Sequence, residues 1–240
     1  MSLSVVIPVY NEEEIILNTL NDIYNHLKKN EIDFELIVID DFSIDKSASL
    51  IDDFCLKNKN VFLFKNIKKG LGSAISLSIE KANKNFISIF MSDKSDNLND
   101  LVTYYNTIKN KNLDAVFGSR FLPQSKVNGY PIVKLILNRI FNFFVKILLV
   151  SKYNDFTNAF KIYKREVLLS FRPIVSEDFN IFLELPLKTI SRHCKYIIIP
   201  ISWDGRTKGK SKFQIKELGS KYLFTLFYCL LEKILLGKKY

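Results

Sequence analysis

The chain has 240 residues, 48% of them apolar, and a formal net charge of +10; that length and apolar share suit one domain with a sizeable core and an elaborated second half. Most of the charge is lysine in a Lys/Asn/Ile-rich composition, and basic and aromatic residues are not interleaved as a stacking platform requires, so no nucleic-acid partner is expected. Three widely spaced cysteines, Cys55, Cys194 and Cys229, form no Cys-x-x-Cys or Cys/His cluster, and the N-terminus lacks a basic n-region and cleavage site; a reducing, cytoplasmic setting is expected.

Strand-like runs at Leu3–Val9, Phe34–Ile39, Val61–Phe64, Phe86–Met91 and Ala115–Gly118 alternate with helical patterns near Glu12–Lys29, Lys46–Lys57, Gly72–Lys84 and Leu98–Lys111. Such a β-α-β-α series predicts an α/β fold, a single domain with a mostly parallel central sheet flanked by helices. Asn11 with Glu14 three residues on reads as a capping box opening the first helix. Further on, short strands are expected at Phe160–Tyr163 and Tyr196–Pro200, a Gly/Lys/Arg loop at Ser202–Lys212 and a helix at Ile215–Leu236. A soft division near Ser119 separates a nucleotide-binding half (1–118) from an acceptor-binding half (119–240).

Carboxylates cluster where strands end. Glu12 follows the first run and Asp40 and Asp41 end the second, at the edge where open α/β sheets bind ligands. Gly70-Leu71-Gly72 follows the third run, with Ile75 where a dinucleotide fingerprint has its third glycine, which argues against a Rossmann oxidoreductase. It is either a tight turn opening a helix or a turn that brings backbone close to a sugar or phosphate. After the fourth run come Asp93 and Asp96; hard cations such as Mg²⁺ or Mn²⁺ take oxygen ligands and bridge carboxylates to phosphates. The plain alternative is an N-cap and a solvated turn. Only six arginines occur, and their forked geometry suits phosphate, which singles out Arg120, Arg139 and Arg206.

Between Ile132 and Val150, Lys134, Asn138, Asn142 and Lys146 recur every four residues while most other positions are Leu, Ile, Val or Phe. A narrow polar stripe on an apolar helix fits an interfacial helix on a bilayer or a buried core helix. The basic residues make it a poor membrane span. The run Tyr222–Leu231 is too short to span comfortably and reads as an amphipathic or docking helix, with Lys238 and Lys239 available to anionic lipid.

Val-Ile-Pro-Val-Tyr-Asn-Glu, Ile-Asp-Asp-Phe-Ser-Ile-Asp-Lys-Ser, Gly-Leu-Gly-Ser-Ala, Phe-Gly-Ser-Arg-Phe, Asn158-Ala159-Phe160-Lys161 with Arg165, and Trp203-Asp204-Gly205-Arg206 through Lys212 occur in that order. Together they resemble the family 2 glycosyltransferases of the GT-A (Rossmann-like) fold, near the dolichol-phosphate mannose synthase and polyprenyl-phosphate group, over nearly the whole chain. The resemblance implies that Pro8, Tyr10, Glu12 and Asp40 surround a nucleotide base and ribose with Asp41 nearby, and that Asp93 carries a metal, with Asp96 as the possible second ligand. It also implies that Arg120 and Arg139 hold an acceptor phosphate, and that Arg206, Ser211 and Lys212 close over donor phosphates. Two departures stand out: Phe42 follows Asp41 where the family often has glycine, so an altered turn is expected, and Ser92-Asp93-Lys94 replaces Asp-x-Asp, leaving Lys94 as a possible source of charge.

The expected function is inverting transfer of a hexose from a nucleoside diphosphate sugar (GDP-mannose or UDP-glucose) to a polyprenyl-type lipid phosphate at the cytosolic membrane face. A phosphate acceptor is already ionised near neutrality and needs no general base. Glu184 is the fallback base for a hydroxyl acceptor or a structural acid, and the structural reading is preferred. The alternatives are transfer to a saccharide or other soluble hydroxyl, and a non-catalytic nucleotide-sugar-binding module.

Overall fold

The computed structural model describes residues 1–205 and 215–236. Its strands are β1 (Leu3–Val9), β2 (Phe34–Asp40), β3 (Val61–Lys65), β4 (Phe86–Ile89), β5 (Ala115–Ser119), β6 (Lys126–Asn128), β7 (Lys161–Lys164), β8 (Tyr196–Pro200) and β9 (Ser202–Asp204). The helices are α1 (Ile16–Lys29), α2 (Ser47–Lys57), α3 (Leu71–Lys81), α4 (Leu98–Asn110), α5 (Ile132–Leu148), α6 (Arg165–Ser170), α7 (Ile181–Ser191) and α8 (Ile215–Leu236).

Seven strands form one sheet in the order β3-β2-β1-β4-β7-β5-β8. The β1–β2, β2–β3, β1–β4 and β5–β8 pairs are parallel, while β7 runs antiparallel between β4 and β5. This is the expected α/β class. Every residue of β1 and β2 is buried, which explains their unbroken apolar runs: both faces of the sheet are covered. Leu3, Val5 and Ile7 pack with Leu20, Ile23 and Tyr104 on one face, and Val6 packs with Ala74, Ile75 and Leu183 on the other. The period of two in the strands thus assigns alternate residues to two cores.

The N-terminal capping box does not form. Asn11 sits at φ 51°, its Oδ1 accepts from the Ile44 N–H at 2.8 Å and its own N–H donates to Ser43 Oγ at 3.0 Å. Asn11 therefore clasps the loop after β1 to the loop after β2, and α1 starts only at Ile16, its first turn held by the Glu12 carbonyl. The turn after β2 keeps the shape a glycine would give it, contrary to the altered turn expected, because Phe42 itself adopts φ 63°. That left-handed geometry costs roughly 1–2 kcal/mol for a side-chain-bearing residue. The Ser43 N–H bond to Asp40 Oδ1 (3.2 Å) and Lys65 Nζ over the Phe42 ring (5.8 Å) offset part of it. The loop expected from Ser202 begins instead as β9, which pairs in parallel with β6.

Helix α5 carries its polarity the opposite way round from a soluble surface helix. Asn142 is buried, its Oδ1 accepts from the Phe156 N–H at 2.5 Å, and Asn138 donates to Thr157 Oγ1 at 2.9 Å. The polar stripe faces the protein. Ile136, Ile140, Phe143, Phe144 and Ile147 are all more than half exposed, so α5 is not a buried core helix. On α8, Tyr222, Leu226 and Cys229 are buried while Phe224, Phe227, Leu231 and Ile234 are exposed. Glu184 and Lys188 of α7 are fully buried and paired at 2.9 Å, and Arg192 pairs with Glu232 to tie α7 to α8. No helix among the described residues is long and apolar enough to cross a membrane.

Candidate active site

The parallel register brings the ends of β1 and β2 together: Val9 pairs with Asp40, and the Asp41 N–H donates to the Val9 carbonyl at 2.7 Å. Pro8, Tyr10, Glu12, Asp40 and Asp41 therefore stand on one carboxyl edge. Lys69 Nζ lies 4.6 Å from the centre of the Tyr10 ring and 3.2 Å from its hydroxyl, and the Glu12 N–H donates to Ser47 Oγ at 2.8 Å. Asp41 is engaged in the scaffold. Its carboxylate accepts from the Gly70 N–H (2.9 and 3.1 Å) and from Asn66 Nδ2 (2.7 Å).

Gly72 approaches protein backbone rather than open space. Its N–H donates to the Glu177 carbonyl at 2.8 Å, and a Cβ there would stand 2.2 Å from the Ser176 carbonyl oxygen. The glycine turn opens α3, with Gly70 as its N-cap.

Asp93 and Asp96 follow β4, beside β1. Asp96 is buried and its Oδ2 has no hydrogen-bond partner; burial, then the Asp93 charge, push its pKa up to about 7. A buried carboxylate oxygen without a partner beside a second carboxylate is a costly arrangement that a cation would relieve. The residues therefore fit an oxygen-ligated divalent ion held by two carboxylates, with phosphate and water completing the shell. Among the described residues there is no cluster of three or more His, Cys, Asp or Glu. Lys94 turns away from these acids, pairing with Asp22 of α1 at 2.5 Å, so its charge is not offered to the site. The N-cap of α4 is Asn97, which accepts from the Asn99 N–H.

A pocket of about 500 Å³ opens from these acids between α5 and α8. Asp93, Asp96, Arg120 and Lys134, whose charges act on one another, line it together with the apolar Leu137, Phe141, Phe179, Phe182 and Leu223. Arg120 is held by Asp155 through two parallel bonds, Nε to Oδ2 at 2.9 Å and a terminal guanidinium nitrogen to Oδ1 at 2.7 Å. Arg139 does not line the pocket: it is exposed, its guanidinium 4.7 Å from the centre of the Phe121 ring. Lys134 does line it, its pKa lowered by burial and by the Arg120 charge and supported by Asp93. The four-residue repeat that contains Lys134 was the available signal, since it puts Lys134 on the same inward stripe as Asn138 and Asn142. Asp155 gives no such signal in the sequence. Arg206, Ser211 and Lys212 lie outside the described residues.

Glu184 is walled in. Its carboxylate accepts from the Val175 and Ser176 N–H groups at 3.0 and 2.8 Å besides pairing with Lys188, so it is a structural acid. Lys161, also buried, donates to the Phe156 and Asn158 carbonyls, and burial lowers its pKa to about 7.

An open α/β sheet with acidic loops at its carboxyl edge and helices over both faces is the GT-A type of architecture. The chain belongs to glycosyl transferase family 2, whose family model matches residues 4–171. It is 25% identical over 222 residues to a dolichol-phosphate mannosyltransferase of Pyrococcus furiosus, covering 91% of this chain and 61% of that one. A polyprenol monophosphomannose synthase of Mycolicibacterium smegmatis is 25% identical over 215 residues, 87% of this chain and 79% of that protein. The fold is also that of glucosyl-3-phosphoglycerate synthase from Mycobacterium tuberculosis, solved with Mn²⁺, UDP-glucose and phosphoglyceric acid, at a TM-score of 0.70 and 17% identity, covering 95% of this chain and 79% of that one.

Proposed function

We propose that the protein transfers a hexose, with inversion, from a nucleoside diphosphate sugar to a polyprenyl-type lipid phosphate at a membrane surface on the cytosolic side. The observation that carries this reading is the pocket's lining, in which two acids, Arg120 and Lys134 stand beside Leu137, Phe141, Phe179, Phe182 and Leu223, flanked by exposed apolar faces of α5 and α8. A soluble saccharide matches neither the apolar lining nor those faces. The apolar side chains that sit outward on α5 and α8 have a lower free energy in hydrocarbon than in water, so a bilayer is the environment they fit. The names of the Pyrococcus and Mycolicibacterium relatives point the same way.

In this reading the donor's base and ribose lie against Pro8, Tyr10, Glu12 and Asp40. Asp93 and Asp96 hold a divalent cation, Mg²⁺ or Mn²⁺, which when bound offsets charge developing on the departing diphosphate. The family resemblance assigns Arg206, Ser211 and Lys212 to the donor phosphates as well. Arg120 and Lys134 hold the acceptor phosphate so that one of its oxygens lies in line with the anomeric carbon. That oxygen supplies the electron pair for the new C–O bond as the bond to the donor's β-phosphate oxygen breaks, and the nucleoside diphosphate leaves. No proton has to be removed from the nucleophile, in keeping with the engagement of Glu184 elsewhere.

Radiolabelled GDP-mannose and UDP-glucose, each supplied with Mn²⁺ or Mg²⁺ and a short polyprenyl phosphate, test the proposal. Label extracted into organic solvent from one donor and lost on chelation is the expected result; donor binding with no label in the organic phase would defeat it.

A further inference from the structure

Arg120 is a cation already matched by an anion. Its Nε and a terminal nitrogen fork onto Asp155, its backbone N–H also donates to Asp155 Oδ2 at 2.9 Å, and the two side chains are 7% and 0% exposed. The guanidinium carbon lies 5.5, 5.3 and 5.8 Å from the ring centres of Phe121, Tyr130 and Trp203. Asp155 is itself fixed. The neighbouring Asn154 accepts from Ser119 Oγ at 2.6 Å, Tyr153 and Asn158 both donate to the Gly118 carbonyl, and the Asn158 N–H closes a turn onto the Asp155 carbonyl. The segment 153–158 is thereby stitched to the end of β5, one residue before Arg120.

We propose that Asp155 is the positioning residue of the acceptor subsite, fixing the plane of the Arg120 guanidinium so that its remaining N–H groups meet the acceptor phosphate in one orientation. The inference rests on the acceptor reading given above. Pairing with Asp155 cancels the net charge of Arg120, leaving it an oriented donor. Fixed planar donors in a dry site stabilise an anion without reorganising, which is worth more to an in-line reaction than a loose extra charge.

The sign of one substitution separates this from a bulk electrostatic role. Asp155→Asn preserves shape and adds one net positive charge to the subsite. If charge alone mattered, phosphate would bind more tightly; if orientation matters, more weakly. Trp203 is the only tryptophan of the chain and flanks the Arg120 guanidinium, so its fluorescence can report titration with a short-chain polyprenyl monophosphate.

The expected result is acceptor binding weakened by about tenfold or more in Asp155→Asn, with the acceptor KM raised and the donor KM unchanged. Acceptor binding as tight as wild type, or tighter, would overturn the inference while leaving the acceptor reading intact. A wild-type protein that shows no saturable response to the lipid phosphate and no transfer to it would remove the acceptor reading and this inference together. Because breaking a buried ion pair is strongly destabilising, Asp155→Glu serves as the second variant. It keeps the pair but displaces the guanidinium, and it too is expected to raise the acceptor KM alone; unchanged acceptor kinetics in a folded Asp155→Glu protein would count against the role.

Discussion

Single residues carry the clearest departures from sequence expectation. Asn11 has the right type and spacing to cap a helix, but pairing of β1 with β2 places it opposite Ser43 and Ile44, and the cross-loop bonds win over the local cap. Phe42 holds a glycine's backbone geometry, φ 63°. Replacing it by glycine relieves about 1 kcal/mol or more of strain, set against greater unfolded-chain entropy and the lost Lys65 contact, so urea denaturation of Phe42→Gly should show a change within about 1 kcal/mol of zero. A larger loss would mean the ring itself holds the loop. Asp96 is the opposite case, a buried acid without a partner on Oδ2. At neutral pH, in chelator, Asp96→Asn should be more stable than wild type by about 1–3 kcal/mol, visible as a Tm rise of a few degrees, while transfer activity disappears. A lower Tm would place the value of Asp96 in the fold rather than in ligand binding.

At the scale of elements, periodicity identified β1 to β5 and α1 to α4 closely because both sheet faces are covered and the pattern is regular. Residues that pair only through tertiary contact were not legible: β6 and β9 are three-residue strands held by each other, and Asp155 matters through a partner 35 positions away. The polar stripe of α5 could be read, but not its direction, since a pattern does not say which face meets the protein. That inward stripe is the strongest element-level finding. Substituting Phe143 and Phe144, both more than half exposed, by serine should weaken cosedimentation with anionic vesicles by tenfold or more, at about 1.5–3 kcal/mol per buried aromatic. Thermal stability should barely change. Vesicle binding equal to wild type would show that the outward face of α5 does not meet lipid.

For the whole molecule, the sheet puts two chemistries side by side. The β1–β2 edge carries Tyr10, Glu12 and Asp40; the loop after β4 carries Asp93 and Asp96; and the pocket between α5 and α8 is lined by those acids and by apolar side chains. Family membership was legible from short motifs in order, because those after β1, β2 and β5 sit at strand ends where backbone geometry restricts residue choice. The lining of the pocket was not, because it is assembled from α5, α7, α8 and β9, distant in sequence. The central claim is that this pocket takes an ionised lipid phosphate. The most direct measurement offers the enzyme, with the productive donor and metal, polyprenyl phosphate, the matching polyprenol, and a soluble saccharide in parallel, and quantifies the glycosylated product of each. Transfer to the lipid phosphate alone is predicted, whereas comparable transfer to the neutral alcohol or to the saccharide would contradict the account.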